Sequence, residues 1–220
     1  MNMAIDEALL ETARTVSIRF YRWKLPALSF GYFGKFADVA DYTSERDLVR
    51  RWTGGGIVFH GDDLTYSIVI PASDAAFSDS SMLIYEKIHC SLRDALTANG
   101  GHVDLAAIGR DAALRRSEPE WHLRTAQRAV PTNVCFANPV RADVMLNGRK
   151  VAGAAQRRTR AGLLHQGSIR NVDLANGLAE RFAKKLSNNR ETWSLPNAVH
   201  YRAEEIAARK YATEDWLRKR

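Results

Sequence analysis

Asn147-Gly148 stands between two runs of strand-type residues, Ala142–Leu146 and Arg149–Arg157, and leaves the chain little choice there. Both central positions of a type I′ turn need positive φ, which Asn-Gly supplies at small cost, so the two runs are expected to fold back as a β-hairpin. A two-residue loop also sets register: Leu146 opposite Arg149, Met145 opposite Lys150, Val144 opposite Val151 and Asp143 opposite Ala152. Residues 143, 145, 150, 152, 154 and 156 then share one face, with Asp143 diagonal to Lys150. Ala161-Gly162 makes the next break, and Leu163–Ile169 returns as a third strand.

Leu64–Ile70 (LTYSIVI) is β-branched and aromatic and is ended by Pro71, which marks another strand. Ser17–Trp23 alternates at strand period. Leu48–Trp52 and Ile57–His60 read as short strands joined through Gly54-Gly55-Gly56, while Pro26 and Gly31–Gly34 break regular structure. Helical spacing covers Asn2–Ala13, with Asn2 as the N-cap, and Ser81–Asn99, with Ile84, Ile88, Leu92, Ala95 and Leu96 on one face. Leu174–Leu186 and one or two short helices after Glu204 follow, and Leu105–Thr132 reads mostly as loop. Strands and helices interleave without βαβ alternation, which predicts an α+β fold, a mixed β-sheet flanked by helices.

Lys and Arg outnumber Asp and Glu to give a formal charge of +7, which favours an acidic partner of some kind. The basic residues are spread, apart from Arg50-Arg51, Arg115-Arg116, Arg157-Arg158 and the last few, and no helix-turn-helix, zinc-finger or RRM pattern gathers them. A nucleic acid partner is therefore not expected, whereas an acidic protein fits the same charge. No apolar run approaches the roughly 18 residues of a membrane span. The first residues carry acids where a signal peptide needs a basic, then apolar, stretch, so the expected location is cytoplasmic. Two cysteines, Cys90 and Cys135, without a CxxC pair, indicate neither a disulfide scaffold nor a metal site.

Three places can carry chemistry. Lys150 is followed by Ala152, Gly153, Ala154 and Ala155, small residues that leave room for an elongated apolar ligand beneath its ammonium. The competing reading is an edge hairpin with a solvated lysine. Thr53-Gly54-Gly55-Gly56 follows Arg51, and glycines in succession let backbone N–H groups approach an anion, though no Walker pattern is present. Cys135, in PTNVCFANP just before the hairpin, is within reach of Lys150, whose charge would favour a thiolate; a small buried hydrophobe is the plainer role for a lone cysteine. Cys90 falls mid-helix and is assigned that plainer role, while His60 follows the glycine loop and His165 lies on the third strand.

Together, NMAIDEALL, SFGYFG, RRWTGGGIVFHGDDLTYS, ADVMLNGRKVAGAAQRR and LLHQGSI resemble the lipoate–protein ligase and octanoyltransferase superfamily, from Asn2 to Ile169. The resemblance implies the catalytic domain shared with biotin–protein ligases. It implies one such domain over residues 1–220, with about 171–220 as a helical extension and no full accessory domain. It implies that Arg51, Thr53, Gly54, Gly55, Gly56 and His60 line the acyl and carboxyl site together with Asp143, Gly153, Ala154 and His165, and that Lys150 is the lysine found in all branches. In the octanoyltransferases that resemble ligases, a nucleophilic cysteine precedes a phenylalanine upstream of that lysine, as Cys135-Phe136 does here.

The implied reaction passes an octanoyl group from acyl carrier protein through a Cys135 thioester to a lysine of a lipoyl domain, either a glycine-cleavage H-type protein or a dehydrogenase E2 subunit. It calls for no cofactor. The alternatives are an ATP- and Mg-dependent lipoate–protein ligase, in which Cys135 is incidental, and a non-catalytic acyl-binding module.

Overall fold

The structure is a computed structural model that describes residues 1–97, 102–107, 136, 138–175 and 177–219. A six-stranded sheet runs in the order β1 (Ser17–Tyr21), β5 (Leu64–Pro71), β9 (Gly162–Ile169), β8 (Arg149–Arg158), β7 (Val144–Leu146), β6 (Val103–Leu105), with every neighbouring pair antiparallel. A second sheet holds β3 (Asp47–Arg50), β2 (Ala27–Phe30) and β4 (Val58–His60); its β2–β3 pair is parallel. The two strands expected on either side of the triple glycine therefore exist but do not pair with each other. Ala27–Phe30, four buried residues between breakers, separates them, and so short a run shows no period to read.

Helices cover both faces of the large sheet. α2 (Ser81–Thr97) and α3 (Leu178–Leu186) pack on one side, where Tyr66, Ile68, Ile84, Ile88, Leu92, Leu163 and Phe182 form the main core. On the other side α1 (Asn2–Thr12) and α4 (Asn197–Ile206) enclose Val69 and Leu164. α1 is buried on all sides from Met3 to Leu10, Asp6 included. Asn2 does not cap it, because Met1 holds that position; the Asn2 carboxamide oxygen accepts from Arg19 instead, at 3.2 Å. Arg50, wholly buried, donates to the carbonyls of Tyr32, Gly34, Leu217 and Lys219, and so ties the last residues to the small sheet.

The hairpin forms with Asn147 at φ 48° and Gly148 at φ 77°, as its turn requires. Its register departs from the expected one after two pairs. Met145 faces Lys150, but Val144 faces Ala152, so Val151 is an extra residue in β8. Such a bulge bends the strand and re-aims what precedes it, here Lys150.

Gly167 on β9 lies against the Tyr66 ring, and a Cβ there would come within 2.3 Å of it. Tyr66 is fully buried and hydrogen-bonded at its hydroxyl to two histidines, so it has nowhere to go. Gly167→Ala is expected to cost about 1–3 kcal/mol or more by overpacking, read as a fall in the urea midpoint at unchanged slope.

Candidate functional site

A cleft opens between the two sheets on the α1 side, with about 420 Å³ of empty space, its open mouth included. Its floor follows from sheet register. Tyr21 pairs with Thr65, Thr65 with Ser168 and Ser168 with Gly153, so one row of four residues crosses β1, β5, β9 and β8 on the cleft side. Ser29, Arg51, Gly55, Val58 and His60 close the cleft from the small-sheet side.

Arg51 organises that side. Its Nη2 donates to the carbonyls of Gly54 and Gly56 at 3.1 and 2.7 Å, and its Nη1 to Ser29 Oγ at 2.6 Å. The glycine loop thus turns carbonyls toward the guanidinium, which differs from the anion-binding N–H cradle expected of three glycines. Gly55, at φ 86°, lets the loop come down on Ala155. With Arg51 donating to it, the Ser29 hydroxyl gives its proton to His60 Nε2 at 2.6 Å, and His60 Nδ1–H donates to Asp63 Oδ2 at 2.8 Å. Burial pushes the His60 imidazole below its usual pKa, which keeps it neutral in this chain. Burial pushes Asp63 up, but hydrogen bonds from His60, Ser168 and the Gly61 N–H outweigh it and hold the carboxyl at about 2.

Serine, histidine and aspartate are connected here as in a hydrolase relay. The guanidinium hydrogen bond on Ser29 Oγ draws electron density from that oxygen and makes it a poorer nucleophile, so these three residues serve to orient Arg51 and His60. Trp23 stacks on His60 at 4.3 Å and donates to Thr65 Oγ1, which fixes the ring from outside. Thr53 lies behind the wall and donates to Gln166 Oε1, while Gln166 Nε2 donates to the buried Asp6.

Where the cleft reaches β8, Gly153 on its lining packs against Lys150. The ammonium is 2.7 Å from Asp143 Oδ2, and both residues are buried, at 6% and 0% exposure, which overturns the reading of a solvated lysine on an exposed hairpin edge. Asp143 also accepts from Tyr85 Oη at 2.6 Å and from the Val140 N–H. A Cβ on Gly153 would come within 2.6 Å of Lys150 Cε and 2.7 Å of Nζ, so only glycine lets the side chain cross the strand there. The Ala154 N–H is taken by Tyr85 Oη and is not an open oxyanion donor. The Phe136 ring lies 5.6 Å from Lys150 Nζ. Cys135 falls outside the described residues.

His165 is not in the cleft, a correction to its expected place. β9 alternates, and it is Gln166 and Ser168 that face the cleft, while His165 points into the main core. There it belongs to a one-way chain of donors. Gln156 donates to His165 Nδ1 (3.0 Å), His165 Nε2–H to Tyr66 Oη (3.2 Å), Tyr66 to His89 Nε2 (3.0 Å), and His89 Nδ1–H to the Ala142 carbonyl (2.6 Å). Ala142 sits at φ 64°, a left-handed conformation that costs a non-glycine residue about 1–2 kcal/mol, and it immediately precedes Asp143.

Ser29, Asp63, Thr65, Gln166, Ser168, Tyr21 and Tyr85 went unread in the sequence. A signal was available for three of them: Asp63 stands one helical or turn step after His60, and Gln166 and Ser168 are polar at every second place of an apolar strand. Nothing local marks Ser29 or Tyr85.

A family model described as the lipoyl protein ligase A/B catalytic domain matches residues 1–208. Octanoyltransferase LipM of Oceanobacillus iheyensis is 34% identical over 216 residues, covering 93% of this chain and 72% of that protein. Octanoyltransferase LipM of Halalkalibacterium halodurans is 32% identical over 216 residues, covering 89% and 72%. Among solved structures, a bi-partite lipoate protein ligase of Thermoplasma acidophilum superposes with a TM-score of 0.71 at 18% identity, covering 98% of this chain and 90% of that one, which shows the same fold. The chain belongs to the lipoyl protein ligase A/B catalytic-domain family. Within it the chain is an octanoyltransferase-type member, and its activity is octanoyl transfer in lipoate biosynthesis.

Burial drives His89 down to about 4, and it drives His165 well below its usual value. A histidine whose folded pKa is depressed supports the fold fully above its unfolded pKa of about 6.5 and loses that support as pH falls toward the folded value. Stability to urea is therefore expected to drop between pH 6.5 and 4, with His89 contributing on the order of 3 kcal/mol of the fall. His89→Gln removes that share, so its stability-against-pH curve is flatter than that of the wild type over the same window.

Proposed function

We propose that the transfer proceeds by double displacement through Cys135, with Lys150 moving the protons. The observation that carries this is the buried Lys150–Asp143 pair, with the ring of Phe136, the residue after Cys135, 5.6 Å from the ammonium. A thiolate beside an ammonium is the resting state. The thiolate attacks the octanoyl thioester of the donor, the carbon–sulfur bond to the donor breaks, and Lys150 gives its proton to the departing thiolate. The amine of an acceptor lysine then attacks the octanoyl-Cys135 thioester. Its proton passes to the now neutral Lys150, and Cys135 leaves as thiolate, which restores the starting state. Asp143 stabilises the ammonium between turnovers, so the pair resets without outside help.

The donor thioester is already activated, so this route takes no ATP, metal or other cofactor. The donor we propose is octanoyl–acyl carrier protein, and the acceptor a lipoyl-domain protein of the H-type or E2 kind. The Thermoplasma ligase was studied with its E2 lipoyl domain, which supports an acceptor of that class. The charge of +7 suits acidic carriers on both sides of the reaction, chiefly by speeding encounter. No described helix is long and apolar enough to cross a membrane, in keeping with the cytoplasmic site of action we propose.

Incubated with octanoyl–acyl carrier protein and no ATP, the protein is expected to gain one octanoyl mass, and Cys135→Ala to gain none. Lys150→Met is expected to slow adduct formation by about 10²–10⁴-fold. Because that change strands a buried carboxylate, Lys150→Met with Asp143→Asn serves as the folded control. Pyrophosphate release with lipoate that needs ATP and survives Cys135→Ala would instead identify a ligase. Tight acyl binding with neither activity would leave a binding module.

A further inference from the structure

The row Tyr21, Thr65, Ser168, Gly153 gives the cleft a length as well as a floor. Lys150 crosses Gly153 at one end, and β1, the outermost strand of the sheet, supplies Tyr21 at the other. Three strand-to-strand steps of about 4.8 Å put the two ends about 14 Å apart. An extended chain covers about 3.6 Å for every three bonds, so the seven carbon–carbon bonds of an octanoyl group span about 8 Å. With a van der Waals contact of about 3.5–4 Å at each end, that group occupies about 15 Å, close to the length of the row.

The far wall is also rigid. Arg19 lies over the Tyr21 ring at 4.3 Å, and Arg19 itself is fixed by Asp6 at 2.6 Å and by the Asn2 carbonyl at 3.0 Å. Trp23 flanks the ring at 6.3 Å. The Tyr21 hydroxyl is buried on the cleft wall and has no hydrogen-bond partner among the described residues. A tyrosine whose hydroxyl bonds to nothing contributes through its ring, and a buried donor left unmet normally costs about 1–3 kcal/mol. On the cleft wall, the hydroxyl therefore has no bonding task among the described residues, and what Tyr21 presents to the cleft is its ring.

We propose that Tyr21 is a specificity-determining residue: its ring ends the acyl cleft and limits the chain to about eight carbons. The inference rests on the cleft being the acyl site of the transferase, and extends that reading to the chain length it selects. Tyr21→Ala opens the end wall toward β1 and admits further methylenes, each worth about a fourfold gain in affinity once it is covered. Tyr21→Phe keeps the wall and removes only the unmet hydroxyl.

Calorimetric titration of the full chain with straight-chain fatty acids of six to fourteen carbons tests this without requiring turnover. The wild type and Tyr21→Phe are expected to bind octanoic acid best among these acids, with no gain for longer ones. Tyr21→Ala is expected to move the optimum to ten or twelve carbons, with decanoic acid binding at least fourfold more tightly than octanoic acid. Tyr21→Leu, also shorter than tyrosine and well suited to a strand, replaces it should the alanine variant fail to fold. An optimum that stays at eight carbons in the shortened variants, or that moves in Tyr21→Phe, overturns the role of Tyr21 while leaving the acyl site in place. Failure of the wild type to bind any of the acids overturns the acyl-site reading together with it.

Discussion

A lysine ammonium withdrawn from water must be answered by a negative charge close at hand, and in this protein that demand shapes one whole side of the large sheet. Breaking such a buried pair costs about 3–5 kcal/mol, so everything that brings Asp143 to Lys150 is under strong constraint. The bulge at Val151 aims the lysine, Gly153 clears its path, and Tyr85 fills the second oxygen of the carboxylate. From the core, the donor chain through His165, Tyr66 and His89 ends on the Ala142 carbonyl and holds the left-handed turn that presents Asp143. Neutral histidines suit that task, since burial away from water disfavours a charge on either ring.

The opposite wall follows a different rule. Arg51 donates to two glycine carbonyls and one serine, so the loop on that side of the cleft is held through its own backbone acceptors. Asp63 lies two bonds further along the same chain and gathers His60, Thr65, Ser168 and the Gly61 N–H on one carboxylate. The result is a cleft whose polar side chains, Thr65 and Ser168 on the floor among them, already have partners within the protein, so what they leave exposed to an occupant is largely apolar.

Much of this was open to reading from the residues alone, and the limits have physical causes. The hairpin was legible because Asn147-Gly148 imposes positive φ locally, whatever surrounds it. α2 was legible because one face of a long helix repeats its burial. β2 was hidden, since four residues buried on both faces carry no alternation. The bulge in β8 was hidden as well, because Val151 suits either register and its choice depends on where Lys150 must point. The glycine loop announced a close backbone approach but not its polarity; whether N–H or C=O groups face inward depends on Arg51, which a stretch of three glycines cannot specify. His165 was misplaced by one residue of a strand, and one residue is the whole difference between core and cleft.

Arg50 and Arg51 are neighbours on the chain yet hold different segments of the molecule. The first fastens the carbonyls of Leu217 and Lys219, the second fastens the cleft loop. Local melting near the carboxyl end therefore frees the hydrogen bonds of a guanidinium one peptide bond away from the residue that shapes the mouth. Amide exchange in the Gly54–Gly56 segment should then keep pace with exchange in the distant tail, so that two regions separated by more than a hundred and fifty residues of sequence open as a single cooperative unit.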